Sequence, residues 1–109
     1  MVVFQIREIY RSDDPNQILG IKGYLLKSSG DSNMELQHML KKLDKDGIPG
    51  QVARFSIFDK VDICKKVGIH FIISMTNSDN PPIKLEQFIN SLSEIVEVTG
   101  NVSKIRLLD

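Results

Sequence analysis

The chain of 109 residues has a single cysteine, no long apolar run and no excess of either charge. Each shortage closes off a class of function. Cys64 has no second thiol in the chain to pair with, so an intramolecular disulfide is excluded. The wholly apolar runs are a few residues long, whereas a membrane-spanning helix needs about 20. Lys and Arg number 14, as do Asp and Glu, and this balance gives no overall field to draw in nucleic acid, anionic lipid or a cationic partner. The opening Met-Val-Val-Phe-Gln-Ile-Arg-Glu lacks the basic-then-apolar order of a signal peptide. The expected compartment is therefore reducing and cytoplasmic. Soft metal ligands are confined to Cys64, His38 and His70, with no finger-type spacing; no metal and no cofactor are expected.

What the chain does have is a repeated apolar pattern. Leu36, Met39, Leu40 and Leu43 mark one helical stripe, and Leu85, Phe88, Ile89 and Leu92 mark a second, 49 residues later at the same spacing. A hydrophobic content of 41% is enough for one core, so residues 1–109 read as a single α+β domain.

Strand-like runs precede each stripe. Between Val2 and Arg11, Val2, Phe4, Ile6 and Tyr10 alternate with polar residues, the period of a half-buried strand. Ser12 to Asn16 concentrates turn formers, and Leu19 to Lys27 returns as a second, more central strand. Ser32 with Glu35 forms a capping box ahead of a helix from Asn33 to Asp46, which Gly47 and Pro49 terminate. Val52 to Cys64 reads as one long strand with odd positions toward the core and a break or bulge at Asp59. Ile69 to Thr76 follows as a strand, and a Lys66-Val67-Gly68 loop predicts Lys65 opposite Ile69 and Ile63 opposite Phe71. A second helix is expected from Pro82 to Val98, stopped by Gly100, then a last strand from Val102 to Leu107.

Two helices with one apolar stripe each need one surface to cover. The expected fold is a two-layer α+β sandwich, a mostly antiparallel sheet with both helices on one face, in ferredoxin-like βαββαβ order with an extra N-terminal strand. The other face is then open. Even positions of the long hairpin point there, giving an interaction face of Arg54, Phe58, His70 and Ile72, which Tyr24, Lys22, Lys104 and Arg106 join depending on the phase of their strands, that of Leu19 to Lys27 being left open by the sequence.

The leading functional expectation is a non-enzymatic protein-interaction domain that associates through this face, as a homo-oligomer. A second is a small-ligand regulatory domain using the loops before the helices, with Ser29, Gly30, Ser32, Asn77 and Ser78 as ligand-loop candidates. Ligand-sensing regulatory domains share this order of elements, although their glycine-bearing effector loop after the first strand has no counterpart here. A third is weak single-stranded nucleic-acid binding, with bases stacked on the aromatics. The predicted register sets His70 opposite Cys64, which makes a thiolate-imidazole pair geometrically conceivable. No orienting acid or oxyanion donor accompanies it. No catalytic residue is assigned.

Overall fold

The computed structural model describes residues 2–13, 16–27, 33–62, 66–100 and 106–108. Its elements are β1 (Val2–Ser12), β2 (Ile18–Lys27), α1 (Asn33–Asp46), β3 (Ala53–Asp62), β4 (Lys66–Ser74), α2 (Pro81–Leu92), β5 (Glu97–Gly100) and β6 (Arg106–Leu108). The result is a small α+β fold with a mostly antiparallel sheet. Its strands run in the order β3-β4-β2-β1-β5, and β6 also lies beside β1.

In a ferredoxin-like sheet the final strand would sit next to β2. Here β1 takes that position. It pairs antiparallel with β2 from Val2↔Lys27 to Ser12↔Ile18, and β5 runs parallel to β1 on its far side, with Phe4 opposite Val98. A hairpin this long satisfies both strands through a short connection, so the N-terminal strand is wedged into the sheet rather than added outside it.

One core forms on the helix side. Leu36 and Leu43 of α1 and Leu85, Phe88 and Leu92 of α2 join Leu19, Ile21 and Leu25 of β2 and Val67, Ile69, Phe71 and Ile73 of β4. Phe71 is at the centre, edge-on to Phe4 at 5.4 Å and to Phe88 at 5.2 Å between ring centroids, with Phe55 tilted against it at 5.9 Å. Odd positions of β4 therefore face the helices. The same parity holds in β3 for Ala53 and Phe55, which pack against the core.

Three sequence expectations need correction. Strict alternation groups Tyr10 with Val2, Phe4 and Ile6 on one side of the strand. The pairing of β1 with β2 shifts between Ile6 and Glu8, so Ile9 takes the core side and Tyr10 turns to the open face. Second, Lys66, Val67 and Gly68 are not a loop but the start of β4, with Ile57 opposite Ile69 and Phe55 opposite Phe71. The buried Val67, together with the place it gives Gly68 beside Tyr24, outweighs the local turn preference. Third, α2 stops at Leu92, where Ser93 N–H and Oγ both donate to the Ile89 carbonyl at 2.8 and 2.7 Å. Residues 97–100, of which the sequence pattern places 97 and 98 in that helix, form β5 because β1 offers an edge to pair with. Gly100 ends that strand at φ 110, and a Cβ there would sit 2.4 Å from the Ile6 carbonyl oxygen. The last strand is described over Arg106–Leu108, parallel to β1, and residues 102–105 of the expected strand lie outside the described residues.

Helix ends and the bulge follow their local chemistry. Asn80 caps α2 by accepting from Ile83 N–H at 3.1 Å, with Pro81 and Pro82 in the first turn where no donor is lost. Gly47, at φ 67, closes α1 as its N–H donates to the Leu43 carbonyl at 3.0 Å. The break expected at Asp59 is present as a register shift after Ile57. Ser32 of the capping box lies outside the described residues. Among the described residues, no helix is long and apolar enough to cross a membrane.

Candidate interaction surface

Strand register decides which residues share the open face. Tyr24 is opposite Gly68, Lys22 opposite His70, and Arg54 and Gly20 are both opposite Ile72, while Gln5, Glu8 and Tyr10 of β1 lie across from Tyr24, Lys22 and Gly20. The structure thus brings Tyr24, Arg54, Phe58, His70 and Ile72 onto one side. Their exposures differ. Phe58 is 44% exposed and Arg54 is exposed, while Tyr24, His70 and Ile72 are half-buried.

Two bare positions in the sheet organise this face. Tyr10 lies across Gly20, where an added Cβ would come within 2.2 Å of its ring, and Phe58 lies across Gly68, where a Cβ would come within 2.8 Å. Each ring covers a strand position that has no side chain of its own. Tyr10 is only 8% exposed although neither described helix covers it. Its Oη forms a 2.7 Å hydrogen bond with His70 Nε2. The desolvation of burial, with the nearby Glu8 carboxylate, pushes the Tyr10 phenol up from its ordinary value. Burial and then the Lys22 ammonium push His70 down, against an opposing pull from Glu8.

Around Tyr24 the pattern repeats with other partners. Its hydroxyl donates to Asp59 Oδ2 at 2.9 Å, and that bond, more than partial burial, raises its pKa. Lys66 Nζ stands 4.1 Å from the Tyr24 ring centroid and the Arg7 guanidinium 5.8 Å from it. Lys22 Nζ lies 5.9 Å from the Tyr10 ring and 5.8 Å from Phe58, which meets Tyr24 edge-on at 5.6 Å. The aromatic faces are therefore already attended by the chain's own cations.

Sequence reasoning missed Tyr10, Asp59, Gly20 and Gly68 as parts of this surface. The signal for the glycines was available, since an isolated glycine inside a strand marks close approach of another group. Tyr10 was hidden by the bulge at Arg7. The imagined pairing of His70 with Cys64 does not occur in this register, because His70 faces Ser56 on β3; Cys64 itself lies outside the described residues. Lys104 also lies outside them.

The ligand-loop candidates divide in the same way. Ser29, Gly30 and Ser32 lie outside the described residues. Asn77 accepts from Gln17 Nε2, and Ser78 Oγ is 2.9 Å from Thr76 Oγ1. Asp79 accepts from Thr76 N–H at 2.8 Å, and that backbone bond is the main reason its carboxyl is held low. Asn77, Thr76, Gln17, Asn16, Ser74 and Arg54 line an open polar groove of about 480 Å3 at this end of the sheet. Among the described residues, no three His, Cys, Asp or Glu side chains converge as a metal site.

No protein-family model, curated protein or solved structure matches the chain.

Proposed function

We propose that this chain is a non-enzymatic interaction domain that docks a protein surface on the β3–β4 side of its open sheet face and that it associates with itself. The observation that carries this reading is Phe58. Its ring is held in place by Gly68, Tyr24 and the Lys22 ammonium, yet it remains 44% exposed on a face that neither described helix covers. A fixed aromatic left exposed on a strand face is the kind of anchor on which interface energy concentrates.

Size exclusion tests it. The chain is expected to elute above its monomer mass of 12.3 kDa, and Phe58→Glu is expected to shift it toward that mass while leaving the circular dichroism spectrum intact. A monomer at every concentration would remove the reading.

A second reading has one observation of its own, since the polar groove brings Arg54 and Asn77 together. A small anion held there would raise the melting temperature by binding the folded state alone. Citrate and inorganic phosphate are suitable probes, and no shift with either, or a shift that survives Arg54→Ala, counts against it. Base stacking is the weakest reading, because Lys22, Lys66 and Arg7 already attend the ring faces that nucleobases would need.

A further inference from the structure

The two margins of the sheet are built differently. On one side β1 is covered by two short parallel pieces, β5 along Val3 to Ile6 and β6 along Tyr10 to Ser12. The other margin is β3, ten residues long, and among the described residues nothing pairs with its outer row of backbone groups. Free margins of this kind are normally blunted by proline, by charge or by a bulge. From Val52 to Phe58 the strand margin has no proline and one charge, Arg54, and its bulge comes only after Ile57.

Exposed apolar side chains gather on the same stretch. Val52 is 92% exposed, Ile57 39% and Phe58 44%; among the described residues the only other large apolar side chain so exposed is Ile83. Ile57 lies on the helix side and Phe58 on the open side, so a partner confined to one face would leave one of them wet. A strand added to the margin covers both.

We propose that the partner is a second copy of this chain, whose β3 pairs antiparallel with the first about a two-fold axis through Phe55. This rests on the interaction reading above and gives it a partner and a register. In a two-fold antiparallel pair the residues directly opposite one another share a face, so each possible axis has its own set of pairs. An axis through Arg54 sets two guanidiniums against each other. An axis through Ile57 or Ser56 carries the pairing past the bulge after Ile57, where Asp59 has turned to the open face to accept from Tyr24 and so cannot share a face with Phe55 or Ala53. Through Phe55 it sets Val52 against Phe58, Ala53 against Ile57 and Arg54 against Ser56, so every exposed apolar residue of the margin meets an apolar one. The bulge that Phe58 and Asp59 form makes Val52 with Phe58 the last pair, and two-fold closure stops growth at two copies.

The register is read by the charge at Ser56, an exposed position. In sedimentation equilibrium, Ser56→Glu is expected to tighten the dimer and Ser56→Arg to weaken it by roughly threefold to tenfold, since opposed charges facing across strands favour pairing and like charges oppose it. Combining Ser56→Arg with Arg54→Glu is expected to restore it. A dimer broken by Phe58→Glu but indifferent to charge at Ser56 overturns the register and leaves the interaction reading standing. A wild-type chain that sediments only as a monomer overturns both.

Discussion

On the helix side of the sheet Phe4 lies across Gly23, where a Cβ would come within 2.8 Å of its ring; on the open side Tyr10 and Phe58 lie in the same way across Gly20 and Gly68. The device is shared but its surroundings are opposite. Phe4 is sealed by hydrocarbon and by the edge of Phe71. Tyr10 is sealed by a hydrogen bond to His70 and flanked by the Lys22 ammonium, and Phe58 by Tyr24 and Lys22 without full cover. An uncovered sheet face can thus bury one ring almost completely and leave its neighbour presented. What separates them is the strand position: Tyr10 lies inside the sheet, Phe58 on its margin.

Substitutions on the two sides should part company. Phe71→Ala should cost about 3–5 kcal/mol of folding stability, because it leaves a cavity between three other rings. Phe58→Ala should cost far less stability and act instead on association, so chemical denaturation and sedimentation of the pair measure the contrast directly. An equal stability loss at both positions would erase it.

Gly20→Val tests whether the Tyr10 cover is rigid. The added atoms would overlap the ring and should cost about 1–3 kcal/mol, with part of that loss recovered in Gly20→Val, Tyr10→Ala through a double-mutant cycle. Additive losses would mean that the ring swings aside freely.

The polar seal should also respond to pH. The His70 pKa lies below its unfolded value of 6.5 in the folded chain, so the folded state binds fewer protons than the unfolded one over that interval. Stability present above about pH 6.5 is lost as pH falls toward the lowered value. Denaturant midpoints measured from pH 8 to pH 5 should show this decline in the wild type, and a flatter profile in His70→Gln. An unchanged slope would assign the decline to other groups. The smallest effect belongs to neither face: Asn80→Ala removes the cap of α2 and should lower stability by about 1 kcal/mol in the same denaturation assay.

Side-chain periodicity carried most of the architecture. The stripes of both helices, odd parity in β4 and the bulge at Asp59 are all present as read, because apolar residues at period 2 or 3.6 have one efficient way to be buried. What failed were boundaries and neighbours. Residues 97–100 look like a helix end until β1 is there to pair with them, and no local signal says that β1 stands between β2 and β5. Gly68 reads locally as a turn glycine although its role is set by Phe58, nearby in sequence, and Tyr24, far from it. The candidate surface was legible as a list of even-numbered residues, whereas its internal wiring was not, since the Tyr10 to His70 bond joins positions 60 residues apart.

The parallel contact of β5 with β1 joins the first strand to one that begins at Glu97, almost the length of the molecule away. Closure of so long a loop is slow relative to a hairpin. The β1–β2 ribbon is therefore expected to form early and to wait, one flank bare, until the tail arrives. Pulse-labelling hydrogen exchange during refolding should then find amides that β1 shares with β2 protected ahead of those it shares with β5, and simultaneous protection would contradict that order.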